Sequence, residues 1–192
     1  MDFDGTMMRY GAPALCGIKP ASLFSMRIDV YEDGLKKIEL WKMFCEKLGV
    51  FVIPIQKYDD RVLLFLYNRR QIALALGDKS IQDYLLCKEY PVYDGIEAII
   101  NTLMMRLLLA EQFPHEIGVF LGYPLEDVAE FEKNEGMGFK YSGYWKVYGN
   151  ICEAKQQMTR YRECSDYCMR LVAGGMSVLS AAQKYRNMIT EV

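Results

Sequence analysis

Apolar residues along this chain recur at helical spacing over several stretches and alternate or run together over a few short ones. Leu35, Ile38, Trp41, Phe44, Cys45 and Leu48 fall three and four apart with Gly49 behind them, so the spacing predicts a helix over 35–48. Val50 to Ile55 is β-branched and apolar and predicts a strand, in which Pro54 marks an edge or a bulge. Residues 57–60 read as a turn and Arg61 to Tyr67 as a second strand, so 50–67 should form a hairpin. Ser22 to Val30 fits either a strand or a short helical turn.

Helical spacing dominates the remainder. Arg70–Leu76 and Ser80–Cys87 read as helices separated near Gly77 and Asp78, and Asp94 caps a longer helix running to about Gln112. His115 to Gly122 fits a helical turn or a strand. Pro124 and Leu125 open a short helix through Glu135, which Gly136 and Gly138 close. Phe139 to Tyr148 is aromatic and alternating and predicts a strand. Asn150 caps a helix to about Ala173, with Ile151, Ala154, Met158, Tyr161, Cys164, Cys168 and Leu171 on one face. Gly174 and Gly175 interrupt the chain before a last helix, Ser177 to Met188. Residues 1–10 show no period and read as a flexible arm, and Gly11 to Pro20 as a Gly- and Pro-rich loop. The sum is α+β: a helix-rich single domain over residues 11–192 with a small antiparallel sheet.

Composition narrows the class. The 192 residues are 52% hydrophobic with a formal net charge of −2, which excludes a disordered chain. No basic excess marks a nucleic-acid binder. The most apolar stretch, Ala98 to Ala110, is interrupted by Asn101, Thr102 and Arg106; it reads as a buried core helix, and no membrane span is expected. Residues 1–10 hold two Asp and no apolar signal core, so the six cysteines are expected as reduced thiols in a cytoplasmic protein.

The blocks FPHEIGVFLGYPLEDV (113–128), GYWKVY (143–148) and APALCGIKPASLF (12–24) together resemble a bacterial family catalogued as domain of unknown function 3793. Within the early block Pro13, Leu15, Gly17 and Lys19 fit the family pattern, whereas Gly11 and Ala14 stand where it carries Cys and Thr. Cys16 is a candidate substitute for that cysteine. Ala154, Met158, Tyr161 and Cys164 fit a later spaced motif, with Met in an aromatic place. The resemblance implies a bacterial, cytoplasmic, anaerobe-associated protein and implies no particular activity.

Each candidate site residue has a structural reading beside the functional one. His115 is the single histidine, and with Glu116 it offers a proton-transfer pair or ligand-binding groups. A histidine bonded to backbone within an apolar segment is the plainer account. The two residues face opposite ways if the segment is a strand. Lys19, between Gly17 and Pro20, suits a phosphate or carboxylate, or is an ordinary solvated lysine. Tyr144 and Lys146 suit a flat or anionic ligand, or one aromatic face of a sheet. Glu126 and Asp127 read as first-turn acids favoured by the helix dipole.

Cys164 and Cys168 share a helix face, as two thiolates or as two small buried hydrophobes, and no metal is expected on this reading. The twelve methionines suit adaptable packing or an apolar ligand cleft equally. The expected function is a small-ligand or cofactor-binding protein, redox-linked in one version. Its pocket would join His115, Glu116, Lys19, Tyr144 and Lys146, with the cofactor unspecified. One alternative is a protein-interaction or homo-oligomeric module using the Val178, Leu179, Ala182, Tyr185 and Met188 face. The third is a thiol enzyme pairing Cys16 with His115.

Overall fold

The computed structural model describes residues 1–109 and 112–190, and of 40–48 and 56–58 the backbone alone. The chain divides into two compact units: residues 1–71 with 159–192, and residues 72–158.

The first unit is built on a three-stranded antiparallel sheet of β1 (Ala21–Arg27), β2 (Val50–Tyr58) and β3 (Arg61–Asn68), in the order β1-β3-β2. The expected hairpin is β2–β3. Tyr58 pairs with Arg61, so strand pairing reaches into the predicted turn and leaves only Asp59 and Asp60 to close it. Asp59 takes φ +46°, the left-handed conformation that two-residue hairpin turns use. The register shifts between Pro54 and Gln56, which makes Ile55 the extra residue of a bulge on an edge strand, as Pro54 predicts. Central β3 turns buried Val62, Leu64 and Leu66 into the main core. The segment 22–30, open between strand and helix, is both: β1 ends at Arg27 and α2 (Ile28–Leu48) starts at once. The side chains of Trp41, Phe44, Cys45 and Leu48 lie outside the described residues.

The flexible arm over 1–10 and the loop that follows it require correction. Residues Phe3–Leu15 form helix α1, with Phe3, Met7, Met8, Ala12 and Ala14 buried. Asp2 caps it, its carboxylate accepting from Gly5 N at 2.9 Å. Glycine and proline hide the helical period here, and packing explains their use. A Cβ on Gly11 would lie 3.2 Å from Leu66 Cδ1, so glycine lets α1 approach the sheet closely. Beyond Cys16, Gly17 at φ +76° reverses the chain, while Ile18 N and Lys19 N bond back to Pro13 O at 2.9 and 3.1 Å.

Helix α8 (Ile151–Ala173) spans the boundary at residue 158, and α9 (Val178–Thr190) completes the first unit. Asn150 Oδ1 accepts from Cys152 N at 3.0 Å and Glu153 N at 3.3 Å, the predicted cap. Most of the α9 face expected to meet a partner turns inward: Val178 and Ala182 join the core with Ala181, and Leu179 and Tyr185 pack partly against it, while Met188 stays exposed.

The second unit is helical apart from one small hairpin. Helix α3 (Arg69–Leu76) leads into it. Asp78 caps α4 (Lys79–Cys87), accepting from Ser80 N at 2.8 Å and Ile81 N at 3.4 Å. Asp94 is not placed at the start of α5 (Ile96–Leu109): it closes a 3-10 turn over Val92–Asp94, and Gly95 at φ +95° intervenes. The end of α5 predicted near Gln112 falls at residues 110 and 111, outside the described residues. The ambiguous segment after His115 is the short helix α6 (Ile117–Phe120), and α7 spans Leu125–Lys133.

The single strand predicted over 139–148 is instead a hairpin of β4 (Tyr141–Ser142) and β5 (Lys146–Val147). Gly143 is the reason: Gly143 N bonds Trp145 O at 3.0 Å, and any Cβ there would collide with the Met158 sulfur. The α+β class, helix-rich with a small antiparallel sheet, holds. No helix among the described residues is long and apolar enough to cross a membrane.

Gly34 tests the packing of α1 on α2. Glycine inside a helix ordinarily gives way to alanine with a gain of about 1 kcal/mol. Here a Cβ would fall within the Phe3 ring. Gly34→Ala should therefore destabilise, by about 1–3 kcal/mol in urea unfolding, and Phe3→Leu in the same chain should recover part of the loss. A stabilised Gly34→Ala would refute the contact.

Candidate functional site

The second unit encloses a cavity of about 340 Å³ between the α6–α7 segment and the β4–β5 hairpin. Its shape follows from one acid. Asp127 stands in the first turn of α7, after Pro124, where the helix dipole favours a negative charge. The dipole is only part of its role. Its carboxylate is 3% exposed and accepts from Trp145 Nε1 at 2.7 Å, Tyr148 N at 2.7 Å and Gly149 N at 2.8 Å. Those three donors carry the hairpin, so Asp127 fixes Trp145 and Lys146 in the cavity wall.

The wall is mostly aromatic. Trp145 stacks on Tyr123 with ring centroids 4.8 Å apart at 20°. His115 meets Phe131 edge-on at 5.0 Å. Lys146 Nζ donates to Gly136 O at 2.7 Å and sits 5.0 Å above the Phe139 ring and 5.5 Å above the Phe131 ring. An ammonium has three donors and the Gly136 bond uses one. Gly118 keeps α6 tight against α7, because a Cβ there would lie 2.6 Å from Val128 Cγ2. Asp127 is the one carboxylate among the described lining residues, and its oxygens serve the hairpin. The charged group left for a ligand is the lysine, beside an imidazole and several rings.

The structure brings three of the five expected site residues together: His115, Tyr144 and Lys146 line this cavity. Glu116 is buried and faces elsewhere, accepting from Arg106 Nη1 at 2.9 Å and Tyr90 Oη at 3.0 Å. Arg106 also lies 4.4 Å over the Tyr90 ring and donates to Lys88 O. This half-buried ion pair ties α5 to the turn that carries His115. Lys19 belongs to the first unit, with its ammonium 5.4 Å over the Tyr161 ring. Desolvation by burial pushes its pKa down to about 8. Sequence reasoning assigned Asp127 to the dipole alone and left Phe131 unremarked; the Pro-Leu-Glu-Asp start of α7 gave the only hint of the anchor.

A second cluster lies in the first unit. Cys16, at the C-terminal cap of α1, meets Cys164 and Cys168 on α8, all three sulfurs within 4.8 Å of one another and all buried. Hydrogen bonds to Cys164 and Cys168, with burial, push the Cys16 thiol up, while those from Cys16 and Cys164 hold Cys168 down. A buried Cys16 with a raised pKa is the reverse of an activated nucleophile.

Residues 7–181 match the family model described as protein of unknown function (DUF3793), and the chain belongs to that family. No curated protein and no solved structure matches it.

Two outcomes follow from this geometry. Asp127→Ala leaves three donors without their acceptor, and should lower stability by about 3 kcal/mol or more while shifting Trp145 emission to the red; an unchanged spectrum would contradict the anchor. For Lys19 the folded pKa lies below the unfolded one, so between about pH 8 and the ordinary value of 10.5 the unfolded chain binds more protons. That group then makes stability rise with pH across the window. The gap in urea midpoint between Lys19→Met and the wild type should shift in favour of the wild type from pH 7.5 to pH 10, windows set by the same pKa. A pH-independent gap would show an ordinary solvated lysine.

Proposed function

We propose that the chain binds a small, flat, anionic ligand in the cavity of its second unit. The ligand ring lies against Trp145, Tyr144 and Phe131, and its anionic group meets Lys146, with His115 as a second polar contact. One observation carries the reading: Lys146 and His115 line the same aromatic cavity, whose single described carboxylate is spent on the hairpin.

Size supports it as well. About 340 Å³ is at the small end of the range for small-molecule sites, roughly 300–1,000 Å³. An aromatic acid or a mononucleotide-sized cofactor suits that volume better than a dinucleotide. A flavin mononucleotide is within this class and would make the protein redox-linked.

Two observations weigh against the other two readings. Much of the α9 face proposed for a partner is taken up by the protein's own core, with Met188 left exposed. Cys16, the nucleophile of a thiol enzyme, is buried at the C-terminal cap of α1 among two further cysteines.

Tryptophan fluorescence tests the proposal directly. The chain has two tryptophans, so Trp41→Phe leaves Trp145 as the sole reporter. Titration with indole-3-carboxylate and with flavin mononucleotide should give a saturable change with at least one probe. Lys146→Met should weaken that binding by about tenfold or more, the worth of a hydrogen bond to a charged group. A Trp145 signal that stays flat with both probes to about 1 mM would overturn the reading.

A further inference from the structure

We infer that Cys16, Cys164 and Cys168 form a mononuclear thiolate site for one zinc(II) ion, independent of the cavity in the second unit. The three sulfurs come from two distant segments. Cys16 caps α1, and Cys164 and Cys168 lie one turn apart on α8, 152 residues beyond Cys16 for the farther one. Close helix packing brings them to one point. The remaining described cysteines, Cys87 and Cys152, are exposed and outside the cluster.

Distances match the ion. A zinc–sulfur bond of about 2.3 Å in a tetrahedron sets neighbouring sulfurs about 3.8 Å apart. Cys16 Sγ and Cys168 Sγ are 3.7 Å apart, and all three lie within 4.8 Å of one another. One sulfur pair is therefore at the spacing the ion sets, and the third sulfur is close enough to complete one face of a tetrahedron with a small contraction. The hydroxyl of Tyr185 on α9 lies beside Cys164. An iron–sulfur cluster spreads its cysteines around several metal atoms and needs wider spacing, so a single ion suits this trio.

Charge selects among thiophilic ions. Three thiolates with zinc(II) leave one net negative charge, whereas copper(I) leaves two. The surroundings are apolar, with Leu15, Val178, Ala181 and Ala182 in the same core cluster, so the smaller residual charge is the less costly one to bury. A simple disulfide explains less. Joining Cys16 to Cys168 would use two of the three sulfurs and give Cys164 no part.

The test uses the full chain, expressed with zinc and purified under reducing conditions, with zinc counted by elemental mass spectrometry. The expected result is about one zinc per chain, kept by a Cys87→Ser, Cys152→Ser double variant and falling below about a tenth in Cys164→Ala and Cys168→Ala. If those variants do not fold, the wild type decides. Exchange for cobalt(II) should give the intense near-ultraviolet thiolate-to-metal band and the visible bands of a tetrahedral site. Wild-type protein that takes up neither zinc(II) nor cobalt(II) overturns the proposal. So does zinc retained by Cys168→Ala, or a metal-free Cys16–Cys168 disulfide in the intact mass. Lys146→Met should leave the zinc count unchanged, and removing zinc from the folded chain should leave the response of Trp145 to the aromatic acids unchanged, so the two proposals fail separately.

Discussion

Asp127 decides what the second unit looks like. Its buried carboxylate gathers an indole N–H and two backbone N–H groups from one short stretch, residues 145–149. Strands as short as β4 and β5 cannot hold themselves in place by their own pairing. Hydrogen bonds to a charged acceptor contribute about 1.5–3 kcal/mol each, enough together to fix the hairpin against α7. The cavity is the space left between the two, and its aromatic wall is the inner side of what Asp127 holds. Its position in the first turn of α7 sets the acid where the helix dipole favours a negative group.

The first unit rests on a different constraint, the closeness with which α1 is pressed between other elements. Gly11 lets it approach β3, and Gly34 makes room for Phe3 on α2. The same approach, continued to the C-terminal end of α1, carries Cys16 to the two cysteines of α8. A half-buried ion pair performs the comparable task in the second unit, where Arg106, Tyr90 and Glu116 hold α5 to the turn before α6. In each case a local residue choice that weakens or complicates its own element is justified by what it lets a neighbour do.

That contrast also explains how much could be read from the chain itself. Helices with strong periodicity and plain caps were legible almost to the residue, as Asn150 and the α8 face show. The β2–β3 hairpin and the bulge at Pro54 were legible because alternation and proline chemistry are local. Helix α1 was not, since Gly5, Gly11 and Pro13 look like breakers, and the reason for Gly11 is the sheet it touches at Leu66 and Phe24. The hairpin at Gly143 was missed for the same reason: what forbids a side chain there is Met158, distant in sequence. Of the site, His115, Tyr144 and Lys146 were legible as uncommon residues in two neighbouring blocks, while Glu116 looked equally promising and has its partners elsewhere. The convergence of Cys16 on Cys164 and Cys168 had no local signature, because it depends on how α1 docks.

The bulge in β2 bears on how these molecules behave in a crowd. A three-stranded sheet has two outer strands, and each offers unpaired backbone groups to any other extended chain. Pro54 has no N–H to offer, and the extra residue Ile55 breaks the even spacing that an incoming strand would have to match. Along that border the molecule is a poor template for a neighbour's backbone. The proline that loosens one hairpin thus also guards the sheet against growing from molecule to molecule.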